Sequence, residues 1–172
     1  MAVGFAVGAR GADHNRSGAY EVDFSDQVDR RNLTPDDVKY AIETEDKAAL
    51  MDSLILCKFL RGVFVDFFAE SAEMLRLVTG WDITADELRT TAKRIVTAKK
   101  QFNIEAGWTP EEDTLPERFL TEKLPTDDRA VLSHARLASL IEAYNVGRGW
   151  RADGYLEEEV LERFGLVGSA PA

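Results

Sequence analysis

The sequence predicts an all-α fold: an irregular bundle of about six helices with a loop-rich N-terminal arm. Three observations carry this. Helix-start signatures recur along the chain, at Thr34-Pro35-Asp36-Asp37, Thr84-x-x-Glu87 and Thr109-Pro110-Glu111-Glu112. Strict apolar–polar alternation never persists beyond four or five residues. There is no βαβ rhythm and no internal repeat. The expected division is one unit over 172 residues, with residues 1–33 as the arm and 34–172 as helices.

Element by element, Met1–His14 holds three glycines in an apolar strip without helical periodicity, as expected of a segment packed under something else. Asp23 to Arg31 suits a short helical turn. Thr34 and Pro35 open the first clear helix, and Glu43 to Ser53 suits a second. Leu54 to Phe68 is almost wholly apolar, which reads as core, although with Ala2–Val7 it offers more apolar surface than a small helical set covers. The next helix runs through Val78 and stops at Gly80, a residue suited to the left-handed cap position. Thr84 and Glu87 form a capping box for a helix with Leu88, Ala92, Ile95, Val96 and Phe102 near 3.6 spacing. A loop passes Leu115-Pro116 and Leu124-Pro125. Asp127 or Asp128 then caps a helix presenting Val131, Leu132, Ala135, Ala138, Ile141 and Tyr144, widened by Leu137 and Leu140, that ends near Gly147. Leu156 to Phe164 forms a last short helix, stopped by Gly165.

Composition narrows the function. Charged residues make 30% of the chain and hydrophobic residues 45%, as in folded soluble proteins. With 31 acidic and 21 basic residues the net charge is −10, opposite to what phosphate backbones demand, so nucleic acid is excluded as a partner. No apolar run is long enough to span a membrane, and no basic region precedes the apolar strip as in an export signal, so the cytoplasm is the expected location. Nucleotide-binding glycine motifs are absent. The single cysteine excludes a disulfide framework and any self-contained cysteine-rich metal site. His134, mid-helix, reads as a surface or packing residue, and His14 on its own as structural. Taken alone, Cys57 reads as a small buried hydrophobe and Asp52 as a helix cap.

The order of the motifs adds to this. Asp52-Ser-Leu-Ile-Leu-Cys-Lys-Phe59 resembles the Asp-x-x-Gly-Leu-Cys motif of the tungsten-containing aldehyde:ferredoxin oxidoreductases. Ala9-Arg-Gly-Ala-Asp-His-Asn15 is similar to that family's upstream Arg-Gly-Ala-x-His segment. Val78-Thr-Gly-Trp81, Phe102-Asn103 with Gly107-Trp108-Thr109, Asp113-Thr-Leu-Pro-Glu-Arg-Phe119, Tyr144 with Gly149-Trp150, and Phe164-Gly165-Leu166 follow in the family's order. The chain resembles the C-terminal helical part of such an enzyme.

The resemblance implies aldehyde oxidation to carboxylic acids, with electrons passed to ferredoxin. It implies a tungstopterin (or molybdopterin) beside a [4Fe–4S] cluster in the complete enzyme, with Cys57 as one cluster ligand. Asp52 would hydrogen-bond a pterin, the backbone at Leu56 would lie along it, Arg10 would join the cofactor-binding set, and His14 would carry protons near the metal. A thiolate is the soft ligand such clusters need. A carboxylate accepts from pterin N–H groups. An imidazole relays protons near neutrality. Ile55 departs from the motif's glycine and is badly suited if that position needs φ > 0. The family's N-terminal half, expected to be a partner, supplies the other cluster ligands, so no cofactor is expected on this chain alone. The alternative is a non-enzymatic accessory or interaction module derived from the family. A homo-oligomer is compatible with either.

Overall fold

The computed structural model describes residues 1–127 and 131–168. Nine α-helices occur among them, and no strand. No helix among them is long and apolar enough to cross a membrane. Three helices are the short α1 (Ala2–Ala6), α2 (His14–Ser17) and α3 (Tyr20–Asp23) of the arm. The arm is therefore more helical than expected, and residues 24–33 form turns and bends where a helical turn was anticipated. Its glycines explain why it packs closely. A Cβ on Gly4 would lie 2.5 Å from the Ser17 Cβ, and one on Gly8 would lie 2.5 Å from the Gly11 carbonyl oxygen. Only glycine allows α1 and α2 to meet there.

A 3₁₀ turn over Pro35–Asp37 runs directly into α4 (Val38–Ser53). The two helices expected at 34 and at 43–53 are thus one element. Thr34 and Asp37 form the capping box: the Asp37 carboxylate accepts from the Thr34 amide at 2.8 Å, which holds its carboxyl below the usual range. α5 (Phe67–Thr79) is capped by Asp66, which accepts from the Phe68 and Ala69 amides, and stops at Gly80 with φ 75°. α6 (Ala85–Glu105) starts at the Thr84–Glu87 box. The Thr109 signature opens only a 3₁₀ turn, Pro110–Glu112, and the short α7 (Glu117–Thr121) lies in the stretch read as loop. α8 (His134–Gly147) is capped by Ser133, not by Asp127, which instead pairs with Arg31 at 3.0 Å; Asp128 lies outside the described residues. α9 (Glu158–Phe164) ends at Gly165.

The main core joins Val3 of α1 and Val7 just after it, Val38 and Ala49 of α4, Val96 of α6, Leu140 and Tyr144 of α8, Trp150, and Val160 and Phe164 of α9. A second cluster packs Leu50 and Met51 of α4 against Phe67, Phe68 and Ala72 of α5 and Leu88 and Ala92 of α6. α8 buries Leu137, Leu140 and Tyr144, while Ala135 and Ala138 face out; the longer side chains bury more apolar area and set the rotation. Phe102 is exposed, contrary to its place in the apolar stripe.

The run Leu54–Phe68 is core only in part: Leu54, Leu56 and Phe64 pack against the second cluster. Phe67 and Phe68 are buried, but Ile55, Phe59, Val63 and Val65 lie on the surface, Phe59 and Val65 almost fully exposed at 95% and 99%. Before α5 begins at Phe67 the segment carries only a 3₁₀ turn, Lys58–Gly62, and so presents no continuous helical face to the core.

Candidate functional site

The motif segment begins where α4 ends. Leu56 donates its amide hydrogen to the Met51 carbonyl at 2.9 Å, and Ile55 donates to Asp52 at 3.1 Å. These two bonds define a Schellman turn with Ile55 at its left-handed position. Its φ is 58°, the one positive φ on a non-glycine residue among those described. The same bond pattern recurs after α6, α8 and α9, each time with glycine: Gly107, Gly149 and Gly165. The motif's glycine thus has a physical role as a helix terminator, and this chain keeps the turn with Ile55, whose side chain is 92% exposed. Leu56 tucks its side chain against the α4–α5–α6 cluster.

The turn sets Asp52 inward and Cys57 outward. The Asp52 carboxylate pairs with Arg16 of α2 and, at 2.9 Å, with Lys58, whose ammonium also donates to the Ala48 carbonyl at 2.8 Å. Cys57 is exposed, so it is not the buried hydrophobe that its apolar neighbours suggested. Its thiol has no hydrogen-bond partner among the described residues.

The upstream segment is ordered by Asp13, the N-cap of α2, which accepts from the Asn15 amide at 2.9 Å and from Arg10 Nη2 at 2.6 Å. Its slight burial works in the opposite sense, but these donors hold its carboxyl below the usual range. Arg10 is thereby committed to Asp13. His14 is exposed, its ring 5.9 Å from that of Tyr20. Arg16 joins the two predicted segments, bringing Asp52 to the helix that carries His14. Cys57 and Arg10 are not drawn into that ion-pair cluster. No group of three His, Cys, Asp or Glu among the described residues is placed to hold a metal, so a cluster on Cys57 needs further ligands from elsewhere.

Residues that the sequence did not single out complete the surroundings. Two clefts, of about 610 and 490 Å³, flank the strip Gly8–Gly11, which Asn103 fastens to α6 by donating to the Ala9 carbonyl at 2.7 Å. Glu45 and Lys99 line the larger cleft. Behind Glu45 lies a buried network: the Arg148 guanidinium pairs with Glu45 and Asp46, and the Tyr144 hydroxyl donates to Glu45. Burial raises the Asp46 carboxyl against the pull of Arg148. Burial works to lower Arg148, but Tyr144, Glu45 and Asp46 outweigh it and hold Arg148 firmly charged. At the smaller cleft, Lys100 bonds Asp113 at 3.1 Å and lies 3.0 Å from the centre of the Trp108 ring, whose Nε1–H donates to Asp113 at 2.9 Å. Burial lowers Lys100 and raises Asp113. The Gly107-Trp108 and Asp113 motifs gave the only sequence signal for this pair. Arg16, only two residues beyond His14, gave none.

The residues fit the implied cofactors unequally. An exposed thiol suits a cluster ligand. The Asp52 carboxylate already serves two cations, and the Ile55 side chain stands beside the turn where the motif has only hydrogen, so the pterin side does not fit in this conformation.

Comparison with known proteins places the chain. The family described as "Aldehyde ferredoxin oxidoreductase, domains 2 & 3" matches residues 1–166. The tungsten-containing aldehyde ferredoxin oxidoreductase of Pyrococcus furiosus is 32% identical over 171 residues, which cover 96% of this chain and 27% of the relative. Those of Pyrococcus horikoshii and Thermococcus kodakarensis are 32% and 31% identical, covering 95% and 96% of this chain and again 27% of each relative. Among solved structures, the active site complex BamBC of benzoyl coenzyme A reductase, with 1,5-dienoyl-CoA, superposes with a TM-score of 0.60 at 20% identity, over 75% of this chain and 19% of that one, a likeness of fold. The chain spans about a quarter of the length of its curated relatives, and it belongs to the aldehyde ferredoxin oxidoreductase family, matching within its domains 2 and 3.

Proposed function

We propose that this chain acts as the C-terminal helical portion of a cytoplasmic tungstopterin and iron–sulfur oxidoreductase that converts aldehydes to carboxylic acids and passes electrons to ferredoxin. The exposed Cys57 thiol, in the family's motif, carries this reading. When bound, the cofactors would supply the oxidation at the metal and the exit route for electrons. Cys57 would give one thiolate to the [4Fe–4S] cluster. Arg10, Asp52 and the Leu56 backbone would face the pterin, with Asp52 exchanging Arg16 or Lys58 for a pterin N–H. His14 would take up a proton released as the aldehyde becomes an acid.

The apolar face of Ile55, Phe59, Val63 and Val65 would meet the part of the enzyme that supplies the remaining ligands. The strained Ile55 and the occupied Asp52 favour a second reading, a non-enzymatic module of the family that keeps this docking face and has lost the pterin contact.

The test is a chimera of the Pyrococcus furiosus relative carrying this segment in place of its own. Aldehyde-dependent reduction of a viologen dye supports the enzymatic reading, and His14→Ala should lower turnover by roughly 10²–10⁴ with tungsten and iron retained. A chimera that assembles but holds no tungsten and oxidises no aldehyde supports the module instead.

A further inference from the structure

Lys99 stands out among the described charged residues. It lies on α6, is half-buried, and has no ion-pair or hydrogen-bond partner among the described residues. Half-buried ammonium groups are costly unless paired. Lys99 lines the cleft of about 610 Å³, a volume in the range of small-molecule sites. The other cations there are committed, Arg10 to Asp13 and Arg16 to Asp52. The one carboxylate in the lining, Glu45, is taken up by Arg148 and Tyr144. Ser17 and Asn103 add neutral polar groups, Asn103 already bonded to the Ala9 carbonyl, and the remaining side chains are apolar: Ala49, Ile95, Val96, Ala98 and Phe102. Phe102 is 63% exposed, so a large aromatic ring stands partly uncovered at the site.

We propose that this cleft binds an organic carboxylate with an apolar body, anchored by the Lys99 ammonium and packed against Phe102 and Ile95. A single uncommitted cation suits a monoanion. The net charge of −10 opposes polyanions, and the apolar walls exclude small hydrated ions. Burial pushes the Lys99 ammonium below its ordinary pKa, and Arg16 acts in the same direction; Glu45 and Asp52 act oppositely without pairing with it. An incoming carboxylate would supply the missing partner. The site uses only this chain's residues; Arg10, which the cofactor reading also uses, lines it, but the anchor Lys99 and the contacts of Phe102 and Ile95 do not rest on that reading.

Calorimetric titration of the 172-residue chain with phenylacetate, its neutral analogue phenylacetamide, and inorganic phosphate tests this. Phenylacetate should bind at least tenfold more tightly than either of the others. Lys99→Met keeps the apolar stem and should weaken it by about tenfold or more, the effect of one charged hydrogen bond. Phe102→Ala, at an exposed ring, should weaken it several-fold. Lys93→Met, an exposed lysine on the same helix, should leave it unchanged. Binding that survives Lys99→Met, phosphate binding as tightly as phenylacetate, or no binding at 10 mM ligand overturns the proposal. Because the titration contains no metal or pterin, its failure is separable from failure of the oxidoreductase reading.

Discussion

Leu56 closes the turn after α4 by donating to Met51 at 2.9 Å, which forces Ile55 between them into the left-handed region at φ 58°. Glycine fills this place in the turns at Gly107, Gly149 and Gly165. The family motif's glycine is therefore partly a demand of helix termination, separate from any demand of the cofactor.

Ile55→Gly should stabilise the chain. Left-handed backbone costs a side chain about 1–2 kcal/mol, and the extra freedom of glycine in the unfolded chain returns part of that. The exposed side chain gives up little burial. The expected net gain is about 1 kcal/mol, or about 2–4 °C in thermal midpoint for a domain of this size. A lower midpoint would mean that Ile55 makes a stabilising contact the turn geometry does not account for.

Arg148→Met should be among the most damaging substitutions. It leaves Glu45 and Asp46 buried without their cation, at a cost of about 3–5 kcal/mol. Burial already raises the Asp46 carboxyl. Without Arg148 its folded pKa rises further above the unfolded value, so the folded variant binds more protons and regains stability as pH falls. Urea denaturation at pH 5.5 and pH 8 should show a smaller deficit at the lower pH.

Glu87 sets an acid limit on α6. Its carboxylate accepts from the Thr84 amide at 2.8 Å and from the Thr84 hydroxyl at 2.9 Å, which lowers its pKa from the ordinary 4.5. A depressed folded pKa contributes stability that is complete above the unfolded value and is lost as pH falls through the folded one. Hydrogen exchange at Thr84 should therefore accelerate below about pH 4, after correction for intrinsic exchange. Glu87→Gln, which keeps an acceptor that does not titrate, should abolish that acceleration.

The exposed face of Phe59, Val63 and Val65 should drive self-association of the isolated chain. Light scattering should show dimers or larger species at micromolar concentration, and Phe59→Ser with Val65→Ser should shift them to monomer. A strict monomer at all concentrations removes the case for this face as an interface.

What was legible in the sequence was local. The Thr34 and Thr84 caps and the Gly80 and Gly165 stops depend on residues within one turn of each other, and each stands where expected. The Leu54–Phe68 run misled because apolar composition is the same for a core and for an uncovered face. The Arg148–Glu45–Asp46 network joins residues 102 and 103 positions apart, and Arg16 meets Asp52 across 36, so neither leaves a periodic trace. Cys57 and His14 drew attention only through the order of motifs. Their neighbours alone suggested a buried thiol and a structural imidazole, and the structure exposes both.

If Cys57 holds iron in the assembled enzyme, the iron content per molecule of the chimera must depend on it, and comparison with and without Cys57→Ser reads this out. Serine is nearly isosteric but a poor ligand for iron. The parent chimera should carry a full [4Fe–4S] complement, and the variant should lose most of its iron while its helical circular dichroism stays unchanged. A variant that keeps full iron would contradict the assignment of Cys57 as a cluster ligand.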